Sequence, residues 1–363
     1  MTTTTLTLLF LLLLSSTNAF NNFASLLNPT KTKVPDTTTT PPPPPTITTP
    51  IVICPGFFND EIDYVEPLKQ PREIGFVSAL ERRGFTNISI VNIKRSDWVR
   101  VAGGLLDPNF YFNKALPTGG GYGWYIARLK ATIDAAYEES GGEKVLVIGH
   151  SAGGWLARAA MANGVWNESE GVKTADRVRC LTTVGAIHRP PVDLNSCATK
   201  GALAFTDREY PGVFLKEDGI SYVTVGGDAV VGINSKLTDK INDDREEADE
   251  VYKVRGEGSS AKVAYDSYEI VSGQNGGVTG DGVVPLEWTK LEGARNIVLE
   301  GVLHSINEAG TTVATDRWYG SEGVIDRWLP VVLEEAGLVE KKNTGKSGGL
   351  FGGFMNDLFK FDS

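Results

Sequence analysis

The sequence predicts an α/β protein with a mostly parallel central sheet, helices on both faces, and cap segments inserted between core elements. Three observations carry this. Short apolar runs at Ile51–Cys54, Val145–Ile148, Val178–Val184 and Ile220–Val225 are near-continuous, as strands buried on both faces require. Stretches of helical period lie among them, at Glu73–Arg83 and Tyr125–Tyr137, which is the rhythm of crossover connections in a parallel sheet. Lastly, Val145–Trp155 (VLVIGHSAGGW) runs from strand through a glycine-bounded turn into a helix.

A chain of 363 residues can hold one large α/β domain plus appendages. Its net charge of −10 argues against nucleic acid or an anionic membrane as the main partner. Three cysteines cannot close a disulfide framework. Cys54 and Cys180 fall inside predicted strands and read as buried, inert thiols, while Cys197 sits in a loop and carries no signal. There is no C-x-x-C and no His/Cys cluster, so a structural zinc site is not expected.

In chain order, Leu6–Leu14 is an apolar run too short to span a bilayer comfortably but suited to a signal peptide over 1–19, although its n-region lacks a basic residue. Asn18-Ala19-Phe20 resembles the cleavage junction of bipartite plastid presequences in algae with red-type secondary plastids. Asn21–Pro35, with lysines, hydroxylated residues and no acid, is similar to a transit peptide. A plastid is therefore the expected location, with secretion or endomembrane residence as the alternative. Residues 20–49 form this transit-like segment and a Pro/Thr-rich linker, since the prolines at 41–45 cannot pack. Asn87 and Asn167 open glycosylation sequons, a pattern that arises often by chance.

The folded domain is expected over 50–338. Ile51–Cys54 is its first strand, ending in Pro55-Gly56-Phe57-Phe58; Glu73–Arg83 is a helix stopped by Gly84; Ile88–Ile93 is a strand. Insertions over about 98–123 and 189–278 read as cap or lid segments. The first carries Phe110, Tyr111, Phe112 and Tyr122, with Trp124 and Tyr125 just beyond, and these aromatics could face an apolar ligand. Its glycines at 119–123 lack the strand and spacing of a phosphate cradle. Val192–Gly219 reads as irregular, and the charged run Asn242–Glu250 as a solvated helix face. Asn296–Leu299 is a last strand and Val324–Ala336 a last helix, which Pro330 would bend or divide. Residues 339–363 read as a flexible tail whose phenylalanines could touch a membrane or a partner.

The chemistry concentrates at the glycine-bounded turn. A serine at a sharp strand-to-helix turn needs small neighbours at Gly149 and Gly153, and the turn lifts Ser151 clear of the sheet at a helix N-terminus. Such a serine needs a base, and the base needs a carboxylate to fix its tautomer. The three histidines are His150, His188 and His304. The acids placed after strands or in tight turns are Asp228 and Asp281, the latter in Gly280–Pro285 (GDGVVP).

With PGFF, GHSAGGWLAR, GDGVVP and LHS in this order, the chain resembles the α/β-hydrolase superfamily over roughly residues 50–335. It looks lipase- or esterase-like, and also similar to the chlorophyllase-like and GPI inositol-deacylase-type hydrolases of photosynthetic organisms. That resemblance implies a Ser–His–Asp order, hence Ser151, Asp281 and His304, with Asp228 and His188 as the competing acid and base. It implies backbone N–H groups of Phe57 and Ala152 as oxyanion donors, although PGFF departs from the commoner H-G segment. It implies hydrolysis of an apolar ester without cofactor, the substrate being an acyl lipid or the phytyl ester of chlorophyll. An acyltransferase and a non-catalytic hydrolase-fold binding protein are the rivals. Peripheral membrane contact fits such substrates, and the oligomeric state is not legible.

Overall fold

In the computed structural model, residues 46–162, 166, 171–234, 258–307 and 314–340 are described. The expected signal peptide, the transit-like segment, the prolines at 41–45, the Asn167 sequon, the charged run Asn242–Glu250 and the tail from residue 341 lie outside them.

The apolar runs form strands because each offers its neighbours two dry faces. The strands are β1 (Ile51–Cys54), β2 (Ile88–Ile90), β3 (Val145–His150), β4 (Val178–Val184), β5 (Ser221–Gly227), β6 (Val230–Val231), β7 (Thr279–Gly280) and β8 (Arg295–Leu299). Six of them make one parallel sheet in the order β2-β1-β3-β4-β5-β8, and β6 and β7 pair antiparallel beside it. β3 lies inside the sheet, with Ile53 opposite Ile148 on one side and His150 opposite Val184 on the other. All connections within the sheet being parallel, the carboxyl ends of β3, β4 and β5 open on one edge. This is the α/β-hydrolase architecture.

Alternation along each strand sorts the side chains into two cores. Val52, Cys54, Val145 and Val147 join one, where α2 (Gly123–Glu139), α3 (Ala152–Ala162) and α4 (Ala202–Glu209) pack through Tyr125, Leu129, Leu156 and Leu203. Ile51, Ile53, Leu146 and Ile148 join the other, against α1 (Phe76–Glu81) and α6 (Glu322–Glu335) through Phe76, Leu80, Trp328 and Val332. Each such aliphatic side chain taken fully out of water contributes roughly 1.5–3 kcal/mol. Arg83, fully buried, ties α1 to α6 by donating to an Asp326 carboxylate oxygen at 2.7 Å and to the Glu322 carbonyl at 2.8 Å. One further helix, α5 (Gly258–Ser272), closes the small β6–β7 sheet; Tyr268 and Ala264 pack on Val230.

Several elements differ from expectation for visible reasons. The predicted helix Glu73–Arg83 is a 3₁₀ turn at Arg72–Ile74 and then α1, because Gly75 between them is extended (φ −70, ψ 153). Strand β2 stops at Ile90, although Val91 N–H still reaches the Ile53 carbonyl. The first insertion winds as 3₁₀ turns over Arg95–Leu106 and one helical turn at Pro108–Tyr111. A Cβ on Gly103 would stand 2.8 Å from the Gly120 carbonyl oxygen, so close backbone packing uses those glycines. Of the aromatics expected to face a ligand, Phe110, Tyr122 and Tyr125 are buried in the core and do not, while Tyr111 and Phe112 are exposed. The segment Val192–Gly219 holds α4 instead of being irregular. Pro330 is accommodated within a single helix, α6. Cys197 is buried, its Sγ 3.1 Å from Thr199 Oγ1, and joins Cys54 and Cys180 as a free thiol; burial pushes the Cys180 thiol up to about 12.

Candidate active site

The turn after β3 carries the strain that its sequence implied. Ser151 has φ 52, in the left-handed region that a non-glycine residue adopts only when its surroundings enforce it. Its N–H donates to the Val184 carbonyl at 3.0 Å, pinning the turn to the neighbouring strand, and α3 starts at Ala152. A Cβ on Gly153 would lie 2.2 Å from the Cys54 carbonyl oxygen, and one on Gly149 would lie 2.4 Å from Gly154 Cα. Both glycines are therefore demanded by the approach of α3 to β1 and β3.

Asp281 and His304 meet. Asp281 Oδ2 accepts from His304 Nδ1 at 2.8 Å, and the His304 N–H donates to the Asp281 carbonyl at 2.9 Å. The carboxylate takes three more hydrogen bonds: Tyr319 OH on Oδ2 at 2.8 Å, and the N–H groups of Val283 and Val284 on Oδ1 at 3.0 and 2.8 Å. A buried carboxylate so fully supplied with donors has its orientation over-determined. With Nδ1–H committed to Asp281, the other ring nitrogen of His304 is left to accept a proton. The end of β4 passes close by, since a Cβ on Gly185 would stand 2.9 Å from His304 Nδ1.

The competing residues do other work. Asp228 accepts the Gly301 N–H at 2.8 Å and so caps the turn after β8, while the His304 ring is bonded to Asp281. His188 is fully buried, with Nε2 2.9 Å from Thr183 Oγ1 and its carbonyl accepting from Arg158. Burial, reinforced by the Arg158 and Arg189 charges, lowers its pKa to about 3, and no carboxylate orients its ring.

No hydrogen bond joins the Ser151 hydroxyl to His304, and the two turns meet through the residue before the serine. His150, the residue before it, has its ring 4.9 Å from the His304 ring, centroid to centroid. Pro55–Asn59 closes the site from the β1 side: a Cβ on Gly56 would stand 2.9 Å from Ser151 Cβ. The Gly56 carbonyl accepts Asn59 N–H at 3.1 Å across a turn in which Phe58 has φ 60. Because the peptide is trans and planar, this aims the Phe57 N–H the opposite way. Ala152 N–H lies at the start of α3, whose first turn packs on Cys54 and Pro55. The Phe57 ring, 40% exposed, rests edge-on against Phe58 and Trp98.

Tyr64, Tyr268 and Tyr319 belong to the site and went unnoticed in the sequence. Tyr319 OH accepts from Gly227 N–H and donates to Asp281, and Tyr268 OH accepts from Gly282 N–H. Single tyrosines outside any periodic pattern give no signal of such roles. Among the described residues no group of three His, Cys, Asp or Glu side chains could hold a metal ion, and no helix is long and apolar enough to cross a membrane.

No known family profile matches the chain, and no curated protein matches it. Solved structures do. The mature lipase BlEst2 of Bacillus licheniformis is 14% identical over 82% of this chain and 96% of its own, with a TM-score of 0.43. The Staphylococcus hyicus lipase is 12% identical over 84% of this chain and 100% of its own, also with a TM-score of 0.43. The RedJ thioesterase of the prodiginine pathway of Streptomyces coelicolor is 14% identical over 57% of this chain and 78% of its own, with a TM-score of 0.26.

Proposed function

We propose that this protein is a serine carboxylic-ester hydrolase working through an acyl-enzyme. The observation that carries the reading is the pairing of His304 with a buried, four-times hydrogen-bonded Asp281, set beside the strained Ser151 turn. In this reading Ser151 Oγ attacks the ester carbonyl while His304 Nε2 takes its proton, and Asp281 stabilises the imidazolium through Nδ1–H. The N–H groups of Phe57 and Ala152 hold the negative oxygen of the tetrahedral adduct, each such donor contributing about 3 kcal/mol to its stabilisation. Collapse breaks the carbon–oxygen bond to the alcohol, which leaves with the proton from His304. Water, deprotonated by the same imidazole, then releases the acid and restores Ser151.

A long-chain ester is the favoured substrate class. Apolar side chains stand in solvent on the two insertions, Leu106 being 91% exposed, Phe112 72% and Val192 70%. An acyl lipid fits this best, with the phytyl ester of chlorophyll as the second reading and residues 1–49 directing the chain to a plastid. A fluorophosphonate probe tests the chemistry. Wild type becomes labelled and Ser151→Ala does not, with turnover of p-nitrophenyl esters falling on the order of 10⁶-fold. Equal labelling of both would remove Ser151 from the mechanism. Release of free fatty acid from galactolipid, or of chlorophyllide from chlorophyll, separates the two substrates, and an added alcohol acceptor reports acyl transfer.

A further inference from the structure

Behind the reacting groups runs a second set of hydrogen bonds that the ester chemistry does not use. Gly56 N–H donates to Tyr64 OH at 2.9 Å, Tyr64 OH lies 2.8 Å from His150 Nδ1, and His150 Nε2 lies 2.9 Å from the His304 carbonyl oxygen. The proton positions follow from the partners alone. A carbonyl only accepts, so His150 Nε2 carries the hydrogen. Burial, reinforced by the nearby His304 ring, lowers the His150 pKa to about 3, so the ring is neutral and its Nδ1 is an acceptor. Tyr64 therefore donates to His150 and accepts from Gly56. Every donor in the series has an acceptor, and the bonds polarise one another in one direction.

We propose that Tyr64 and His150 are positioning residues that hold His304 in register with Ser151 by gripping the His304 main-chain carbonyl from the side opposite Asp281. This inference rests on the hydrolase reading of the same site and deepens it. The His304 backbone is held twice: its N–H by the Asp281 carbonyl, and its C=O by His150. Only the second grip originates next to Ser151 in the chain, so it couples the height of the imidazole to the nucleophile turn. The first residue of the relay, Gly56, abuts Ser151 and precedes Phe57, so the oxyanion loop is set by the same bonds. Tyr64 and His150 are 1% and 2% exposed. Both stay uncharged, as the site requires: a cationic His150 at a ring distance of 4.9 Å would oppose the imidazolium that forms on His304.

The two ring nitrogens can be replaced one at a time. His150→Gln places an amide N–H where Nε2 donates to His304, and His150→Asn places a carbonyl where Nδ1 accepts from Tyr64. We expect His150→Gln to keep kcat within threefold of wild type, while His150→Asn and His150→Ala lose roughly 10- to 100-fold in kcat with KM unchanged, the size of effect that a small misplacement of a reacting group produces. The low-field proton resonance of the His304–Asp281 hydrogen bond should persist in wild type and His150→Gln and broaden or vanish in the other two. Tyr64→Phe, which keeps the ring, gives a second measure if His150→Ala does not fold; it should lower kcat several-fold with KM unchanged. Equal kcat in all variants overturns the proposal, and so does an equal loss in all three His150 variants that tracks their melting temperatures. Ser151→Ala, assayed beside them, separates the two levels: if it keeps full turnover the hydrolase reading fails, whereas if it is dead and His150→Asn is fully active only the positioning role fails.

Discussion

The carboxyl edge of the sheet and the insertions above it are built on opposite terms. At the edge, the polar groups of Asp281, His304, Tyr319, His150 and Tyr64 are buried and hydrogen-bonded to one another, and their geometry has little freedom. In the insertions, Leu106, Phe112 and Val192 stand in solvent without covering partners, while Phe110 and Tyr122 beside them anchor the segment in the core. The first arrangement costs desolvation and gains orientation. The second leaves apolar area available for something else to cover. In the proposed enzyme the edge would determine rate, and the insertions would determine which substrate arrives.

Exchanging the carboxylates at two strand-end turns should give the largest effect. Asp281→Asn should lower kcat by roughly 10⁴-fold, because the amide would face His304 with the wrong pattern of donors. Asp228→Asn, which alters only the cap on Gly301, should stay within a few-fold in the same ester assay and lower the melting temperature slightly. Reversal of that ranking would move the triad acid to Asp228.

A pH series tests the buried edge differently. His150 and His188 both have folded pKa values near 3, well below the unfolded value of about 6.5. The unfolded chain therefore binds protons that the folded one refuses. Their stabilisation is complete above about pH 6.5 and is lost as pH falls toward about 3, by at most about 1.4 kcal/mol per pH unit for each histidine. Urea denaturation at pH 7 and pH 5 should show this fall for wild type and a shallower one for His188→Gln. A flat profile would mean that these rings are not buried neutral in solution.

The smallest effect concerns the insertions. Leu106→Ser and Phe112→Ser should leave hydrolysis of a dissolved short-chain ester within twofold and slow hydrolysis of a dispersed long-chain ester several-fold, because removing a large exposed apolar group withdraws about 1.5–3 kcal/mol of burial from any contact it makes. Equal rates on both substrates would detach the insertions from substrate recognition.

His188 and His150 show how far the sequence can be read. Both histidines follow strand residues, and both are buried and neutral, yet one is joined to Thr183 and Trp288 and the other to Tyr64 and His304. Except for Thr183, five residues before His188 on β4, the partners come from segments distant in the chain. The same holds for Tyr319, whose hydroxyl reaches Asp281 from 38 residues away, and for Tyr64, which reaches His150 from 86.

What the sequence determined by itself was the set of features with short-range causes. Strand positions followed from apolar runs with two dry faces, and the turn at Ser151 from glycines that steric approach demands. The parallel order followed from helices spaced between strands. The tertiary structure alone decided that Tyr319 and two backbone N–H groups brace Asp281, that Phe110, Tyr122 and Tyr125 turn inward, and that His150, backed by Tyr64, holds the His304 carbonyl. Hydrogen-bond partners depend on where distant loops come to rest, and that is an outcome of packing across the whole sheet, which no local pattern of residue types records.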